Sequence, residues 1–397
     1  MGKFDLNKMQ SIIAKMNLDG WLLYDFRGSN DLAQNILDIP KSSHLTRRFY
    51  YFIPRTGEPV KIVNAIEAFH LDHLPGKQLK YSSHASLSGH LKETLKSAKK
   101  IAMEYSPLNA IPYVSKVDAG TIEQIKSYSV EVVTSGDLIS LFDAVWTEEQ
   151  YRDNIPVANS LVDIALGAFK YIKEKTLVSE KLTEFDVQQF IDDEISKRGY
   201  VTEPPIIVGV NENSGNPHYA PDKDHFKEIK RGDFVLIDLW AKVNKESGVW
   251  ADITWTGYMG ESVPDKYVKI FNIVAEARDT AFNLVAGRFK QGKEVRGYEV
   301  DDAAREVITK AGYGEYFFHR TGHSITIDLH GSGSHMDDYE TKDERLLLPS
   351  TSFSIEPGIY LPEFGVRTEI DVFIKPSGEV IATGDWIQKE VIPILKY

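Results

Sequence analysis

The sequence predicts two domains of different class, an α/β domain over residues 1–146 and an α+β domain over residues 147–397. In the first part, short apolar segments with the period of a β-strand alternate with helical segments. In the second part, long amphipathic helices are followed by paired apolar strands with turn residues between them. We place the boundary near residue 146 because the first pattern gives way to the second around LFDAVWTEEQYRDN.

The elements of the first domain follow from short runs of Val, Ile, Leu and aromatic residues bounded by polar turns. Strands are predicted at 20–26, 47–54, 60–65, 99–105 and 130–135. Helices are predicted to begin near Gln10, Ala85, Gly120 and Gly136. This alternation of strands and helices is typical of an α/β domain.

The second domain is expected to contain longer elements. Helices are predicted over 151–174, 184–198, 268–289 and 300–311. Two β-hairpins are predicted, one from FVLIDLWAKV (234–243) with VWADITWTGYM (249–259), the other within SFSIEPGIYLPEFGVRTEIDVFI (352–374). The segment SITIDL (324–329) alternates with the period of a further strand.

The composition limits the classes of function. The 397 residues are 42% hydrophobic and 26% charged, as in an ordinary globular protein, and no apolar run approaches the roughly eighteen residues of a membrane span. Cytoplasm is therefore the expected location. Cysteine is absent, so a metal site would use His, Asp and Glu. The net charge of -12 argues against a nucleic-acid surface and favours a small substrate.

Two acidic residues are predicted to face each other in the first hairpin. If its strands pair antiparallel around Lys245, Asp238 lies directly opposite Asp252, with Cβ atoms about 5 Å apart. Both residues interrupt runs of apolar residues, which favours buried positions. Directly opposed carboxylates destabilise a sheet unless a cation lies between them.

The second hairpin repeats the arrangement. A turn at Pro362 and Glu363 sets Glu356 opposite Glu369, again within apolar runs. A pair of divalent ions about 3.5–4 Å apart would neutralise four carboxylates and keep them as ligands. The alternative is that one or both hairpins face water and the acids are surface residues.

Three histidines lie within the segment HRTGHSITIDLHG, residues 319–331. His323 and His330 are separated by an odd number of residues, so a regular strand would direct their side chains to opposite faces. Both can reach one site only if the chain bends. One histidine is therefore expected to complete the metal site and another to reach it as a neighbouring group.

These segments resemble a known family. HRTGHSITIDLH, ADITWTGYM, SIEPGIY and GVRTEID are similar to the signature segments of the pita-bread metallopeptidases, which include methionine aminopeptidase, prolidase and aminopeptidase P. The resemblance covers the second domain in the same order, and the first domain resembles the creatinase-type amino-terminal domain. It implies a pita-bread (creatinase/aminopeptidase) fold for the catalytic domain.

The resemblance implies a metal centre with two divalent ions. The implied ligands are Asp238, Asp252, His323, Glu356 and Glu369. Asp252 and Glu369 would bridge the two ions. Because most of the donor atoms are oxygen, the site favours Mn²⁺, and Co²⁺, Fe²⁺ or Zn²⁺ could substitute. A bridging hydroxide would attack the scissile carbonyl of an Xaa-Pro bond at the amino terminus of a peptide or in a dipeptide.

The resemblance also assigns roles around the metals. Glu356 would pass a proton to the leaving amine, and His330 would stabilise the tetrahedral intermediate. His218, in the segment NPHYAP, would lie near the leaving group, and His319 would line the pocket. Arg367 would orient Glu369. Proline-specific relatives are usually homodimers, so a homodimer is expected.

Other reactions are less compatible with the sequence. A nucleophile elbow, a GxGxxG segment after a strand and an HExxH segment are absent. The family's Thr-Arg-Thr after the second aspartate is Thr-Trp-Thr here, which leaves the substrate preference open. The alternative to a peptidase is a metal-dependent non-peptidase hydrolase or lyase on the same fold that acts on a small molecule, or a metal-binding interaction protein.

Overall fold

The computed structural model describes residues 4–178, 181–384 and 386–397. It divides into two compact units, Met1–Asp143 and Ala144–Tyr397. Trp146, placed at the end of the first domain by the sequence, donates its backbone N–H to the Ser350 carbonyl and its indole N–H to the Ile325 carbonyl. Its contacts therefore lie in the second unit.

The first unit is built on a mixed six-stranded sheet with the order β4-β3-β2-β1-β5-β6. Its strands are β1 (Gly20–Asp25), β2 (Phe49–Pro54), β3 (Val60–Asn64), β4 (Lys77–Tyr81), β5 (Lys100–Met103) and β6 (Glu131–Thr134). Its α-helices are α1 (Leu6–Lys15), α2 (Asp31–Ile36), α3 (His84–Leu95), α4 (Ala119–Lys126) and α5 (Gly136–Phe142). The α/β class predicted for this part is confirmed.

Two elements of the first unit were not predicted. The strand β4 has the sequence KQLKY, whose lysines and glutamine give it no apolar run to detect. The helix α2 is only six residues long, and it starts because the Asn30 side chain accepts a hydrogen bond from the Ala33 N–H. The pattern of apolar residues therefore indicates neither the strand β4 nor the helix α2.

The second unit contains four long helices that agree with the predicted ones to within a turn. They are α6 (Glu148–Leu177), α7 (Glu184–Lys197), α8 (Asp265–Lys290) and α9 (Gly297–Lys310). Thr147 and Thr183 begin α6 and α7 with capping boxes, in which the threonine hydroxyl and the third helical side chain satisfy free backbone N–H groups.

The helix α6 is long and apolar enough to span a membrane by length and composition, although its sequence is not a continuous apolar run. Half of its most apolar window is buried inside the protein. Side chains such as Leu161, Ala165 and Phe169 pack in a core cluster with β9 and β10, the long strands over Phe234–Val243 and Ala251–Tyr258. Such packing is typical of a core helix.

The remaining strands of the second unit form small sheets around this hairpin. They are β7 (Tyr200–Val201), β8 (Ile207–Val210), β11 (Ser324–Ile325), β12 (Ser352–Ile355), β13 (Gly358–Tyr360), β14 (Gly365–Arg367), β15 (Ile370–Ile374), β16 (Val380–Ala382) and β17 (Ile392–Pro393). The sheet orders are β17-β10-β9-β7 with β8 also on β9, then β11-β12-β15-β16, and the pair β13-β14.

Candidate metal centre

The first hairpin is formed as predicted, but its register is different. Asp238 pairs with Thr254 and Asp252 pairs with Trp240, so the two aspartates are diagonal neighbours and not directly opposite. The predicted turn centre at Lys245 was wrong because the strands end at Val243 and Ala251, and the seven-residue connection gave no unique centre. A shift of two residues keeps both aspartates on one face of the sheet.

The predicted register of the second hairpin is confirmed. Ile355 pairs with Ile370 and Gly358 pairs with Arg367, so both parts of the hairpin share one register. Glu356 and Glu369 lie opposite each other at the gap between these paired segments. The hairpin therefore places these two carboxylate residues at opposing positions of its two chains.

The chain bends after Ile325, so the prediction of a strand over 324–329 was wrong. Only Ser324 and Ile325 are in a strand, and the Gly331 N–H donates to the Ser324 carbonyl at 2.6 Å. The bend brings the rings of His323 and His330 to a centroid distance of 4.4 Å. The two histidine rings therefore lie together. Because an odd number of residues separates His323 and His330, this arrangement required a bend in the chain.

His323 directs a lone pair at two carboxylates. Its Nδ1 lies 3.2 Å from the Ser324 carbonyl, which can only accept, so this nitrogen carries the proton and Nε2 is the acceptor. Nε2 lies 3.3 Å from Glu356 Oε1 and 3.7 Å from Asp252 Oδ2. Burial lowers the pKa of His323 to about 3, so the ring is neutral and these contacts are not ion pairs. Acceptors that face one another are unfavourable unless a cation or a shared proton lies between them.

The carboxylates beside His323 also have buried oxygen atoms without hydrogen-bond donors among the described residues. Among the described residues, Asp238 Oδ1, Asp252 Oδ1 and Glu369 Oε1 are buried without a hydrogen-bond partner. Burial, with the neighbouring carboxylates, raises the pKa of Asp252 and Glu369 well above the usual range. Atoms of Asp252, His323 and Glu369 lie within 4.8 Å of one another, as in a metal site.

Arg367, which was predicted to orient Glu369, is connected to it through Thr254. Its guanidinium contacts Asp238 Oδ2 at 2.5 Å and donates from Nε to Thr254 Oγ1 at 2.9 Å, while Glu356 Oε2 lies 3.9 Å from Nε. The Thr254 hydroxyl in turn donates to Glu369 Oε2 at 2.7 Å. Arg367 therefore reaches Glu369 through Thr254, and one guanidinium cannot neutralise four carboxylates.

Two other supporting residues, Ser354 and Asp371, were not predicted from the sequence. Ser354 donates its hydroxyl to Glu356 Oε1 at 3.0 Å. Asp371 accepts the backbone N–H of Asp252 at 2.8 Å and thereby ties β15 to β10 beside the metal ligands. Their position two residues from a glutamate ligand, on the same face of a strand, was the available signal.

His319 is next to the site, with both ring nitrogens engaged. Nδ1 donates to the Arg320 carbonyl at 2.6 Å, so Nε2 accepts from the Tyr360 hydroxyl at 2.7 Å. Burial raises the pKa of Tyr360 to about 12, so this hydroxyl keeps its proton, and it accepts from Arg367 at 3.1 Å. His319 therefore supports Tyr360 and Arg367, and its role towards substrate stays a prediction.

His330 and His218 are at the exposed side of the site. Neighbouring His323, together with burial, lowers the pKa of His330 to about 3, and His218 is near enough to contribute. The His218 backbone N–H donates to Asn216 Oδ1, which fixes the loop. The ring of His330 thus lies beside the ligand His323, and the roles of both His330 and His218 towards substrate stay predictions.

The donor set fits divalent metal ions. It combines four carboxylates with a neutral imidazole, and its free lone pairs converge, as hard or borderline ions require. Residues 154–376 match the model of metallopeptidase family M24, which is more than half of the chain. The chain belongs to this family. Membership in M24 implies divalent metals, although it does not identify them.

Relatives of this M24 chain include a Mycoplasma pneumoniae protein whose name provisionally assigns it to the Xaa-Pro aminopeptidases. It is 32% identical over 212 residues, which are 53% of this chain and 55% of the relative. The matched segment thus spans about half the length of such curated relatives.

Two solved structures cover the M24 chain more completely. The dipeptidase PepE from Mycobacterium ulcerans has a TM-score of 0.67 and 21% identity, covering 98% of this chain and 96% of that one. The recombinant prolidase from Thermococcus sibiricus has a TM-score of 0.62 and 25% identity, covering 98% and 97%. The fold class, an α/β domain followed by a pita-bread domain, is confirmed.

Proposed function

We propose that this M24 chain is a dinuclear metal-dependent peptidase that hydrolyses the Xaa-Pro bond at the amino terminus of peptides or in dipeptides. The observation that carries the proposal is the convergence of acceptor atoms, above all His323 Nε2 with Glu356 and Asp252. The names of the related prolidase and Xaa-Pro aminopeptidase support the choice of bond.

Two divalent ions would be held by Asp238, Asp252, His323, Glu356 and Glu369, and they would supply an activated water and polarise the scissile carbonyl. We propose Mn²⁺ as the native metal because oxygen donors outnumber the single imidazole. Co²⁺, Fe²⁺ or Zn²⁺ could occupy the same donors.

The residues around the ligands would handle protons and charge. Glu356 accepts a hydrogen bond from the Ser354 hydroxyl, and it would take a proton from water and return it to the leaving amine. His330 is exposed and lies beside His323. From this position His330 would donate a hydrogen bond to the developing oxyanion. His218 would contact the substrate on the leaving-group side.

Removal and replacement of the metal tests the proposal. Protein treated with a chelator should lose cleavage of Xaa-Pro dipeptides and tripeptides and regain it when Mn²⁺ or Co²⁺ is added. A broad peptide panel with no cleavage, while two metal ions per chain are bound, would favour the alternative, a metal-dependent non-peptidase hydrolase or lyase acting on a small molecule.

The homodimer and the cytoplasmic location stay predictions from the sequence. Sedimentation of the full chain at several concentrations measures the first, and fractionation of the source cells measures the second. The resemblance of the first domain to the creatinase-type domain is likewise a proposal.

A further inference from the structure

Residues 331–345, which we call the polar segment, lie between β11 and β12 and form no helix or strand, although the structure describes all of them. Their buried polar residues are Ser334, His335, Asp337, Asp343 and Arg345. Buried polar groups are unfavourable unless they have partners. Asp343 forms a buried ion pair with Arg345 and accepts the backbone N–H of His335 at 2.8 Å. The position of His335 is therefore set by a buried ion pair.

The chain at His323 is bound from two sides. On one side, β12 donates the Ser354 N–H to the His323 carbonyl at 2.8 Å. Because the carbonyl and the N–H of a trans peptide point in opposite directions, the N–H of Ser324 points away from β12. On this second side, Gly322 and Met336 exchange two backbone hydrogen bonds of 3.0 and 3.3 Å. The polar segment thus takes the place of a neighbouring strand there.

The Ser324 N–H donates to a side chain on this second side, the Nδ1 of His335, at 3.1 Å. A backbone N–H can only donate, so Nδ1 carries no proton, and the neutral ring has its proton on Nε2. The Ser324 carbonyl, in turn, accepts from His323 Nδ1 at 3.2 Å and from the Gly331 N–H at 2.6 Å. His335 therefore holds the residue that orients the ring of His323.

We propose that His335 is a positioning residue for the metal ligand His323. Its ring fixes the peptide between His323 and Ser324, and the Ser324 carbonyl then orients the imidazole of His323 with Nε2 directed at Glu356 and Asp252. This inference rests on the proposed metal centre and adds to it a residue outside the predicted ligands. A group that orients a ligand imidazole strengthens metal binding without contacting the metal.

Two substitutions of His335 test the position of the acceptor atom. The side-chain oxygen of Asn is as many bonds from Cβ as Nδ1 is, so it can accept from the Ser324 N–H, whereas the oxygen of Gln lies one bond further out. Affinity for Mn²⁺ is measured by calorimetric titration of the chelator-treated full chain. His335→Gln should weaken the affinity about tenfold. His335→Asn should restore most of it.

Ser334→Ala is the control variant. The Ser334 hydroxyl is buried in the polar segment and donates to the Arg345 carbonyl at 3.1 Å, away from the chain at His323. This variant should lower the melting temperature and leave the Mn²⁺ affinity unchanged. A fall in affinity as large as that of His335→Gln would show that any destabilisation of the polar segment disturbs the site. That result would overturn a specific role for His335.

A measurement on the unsubstituted protein decides the proposal even if a variant does not fold. In chelator-treated protein, NMR signals of the imidazole nitrogens show which nitrogen of each ring carries the proton. His335 is expected to carry it on Nε2, and His323 on Nδ1. A neutral His335 ring with its proton on Nδ1 could not accept from Ser324, and this result would overturn the proposal.

The outcomes also separate this proposal from the metal centre on which it rests. If both His335 variants bind Mn²⁺ as tightly as the unsubstituted protein, the positioning role is overturned and the metal centre stands. If the unsubstituted protein binds no metal, the metal centre fails, and the ring signals of His323 are compared instead. A change of these signals in His335→Gln but not in His335→Asn supports the positioning role, and unchanged signals in both variants overturn it.

Discussion

At the scale of single residues, Arg367 divides the buried carboxylates into two groups. Asp238, Asp252 and Glu369 each keep a buried oxygen without a hydrogen-bond partner among the described residues, and the other oxygen of Asp238 accepts from the guanidinium. An unpaired buried carboxylate destabilises a fold, and a paired one destabilises it only when its partner is removed. The metal ligands therefore differ in what they do in the metal-free protein.

Substitution of the two aspartates should change stability in opposite directions. In chelator-treated protein, Asp252→Asn is expected to raise the free energy of unfolding by about 1–3 kcal/mol, because it removes an unpaired buried charge. Asp238→Asn should lower it by about 3 kcal/mol, because Arg367 loses its counter-charge. Both variants should lose metal-dependent turnover. Denaturant unfolding with metal analysis measures these effects, and destabilisation by both substitutions would contradict the division.

Thr254 connects Arg367 to Glu369 and should matter for metal binding more than for folding. Thr254→Val is expected to weaken metal affinity about 10–100-fold, as is typical for groups that orient a ligand. Thr256→Val is the matched control, since this buried threonine is on the same strand face as Thr254. Its hydroxyl makes a long hydrogen bond of 3.4 Å to Gln388 Oε1, which is not a metal ligand. Metal titration of both variants makes the comparison. Equal affinities would remove Thr254 from the ligand network.

At the scale of elements, the second hairpin could be predicted and the first only in part. Pro362 and Glu363 form the centre of a short turn, which fixes the register of Glu356 and Glu369. The long connection between β9 and β10 allows several registers. The bend after Ile325 depends on hydrogen bonds from Trp250 and Lys242, which are distant in sequence, so a local pattern could not reveal it.

The close approach of the His323 segment to β12 gives an element-scale prediction. A Cβ at Gly322 would lie 2.0 Å from the Ser354 carbonyl oxygen, so Gly322→Ala must push His323 away from Glu356. We expect loss of metal binding and a lower melting temperature. Gly287→Ala is the control, because a Cβ there meets nothing within 4 Å and the helix α8 should gain about 0.5–1 kcal/mol. Normal metal binding by Gly322→Ala would contradict this packing.

At the scale of the whole molecule, the ligand set makes the stability of the metal-free protein depend on pH. Burial raises the pKa of Asp252 and Glu369 well above their values in the unfolded chain. Groups with a raised pKa contribute stability that is fully present below the unfolded pKa, about 4, and lost as pH rises through the folded value. The ionised forms of Asp252 and Glu369 therefore lower the free energy of unfolding of the metal-free protein at neutral pH.

This linkage predicts that metal binding releases protons. The melting temperature of chelator-treated protein should fall between pH 5 and pH 8, and Mn²⁺ should raise it more at pH 8 than at pH 5. Calorimetric titration in buffers of different ionisation enthalpy measures the protons released. The double variant Asp252→Asn with Glu369→Gln is the control, and its melting temperature should depend less on pH. Metal binding without proton release would contradict the raised pKa values.

The proposed metal centre requires two cations shared by carboxylates from two hairpins and by His323. The direct measurement is anomalous scattering from crystals of gently purified protein, recorded at the Mn, Fe and Zn absorption edges. We expect two adjacent peaks among Asp238, Asp252, His323, Glu356 and Glu369. A map without an ion at these residues, from protein shown to be active and never exposed to chelator, would show that the activity does not depend on this metal centre.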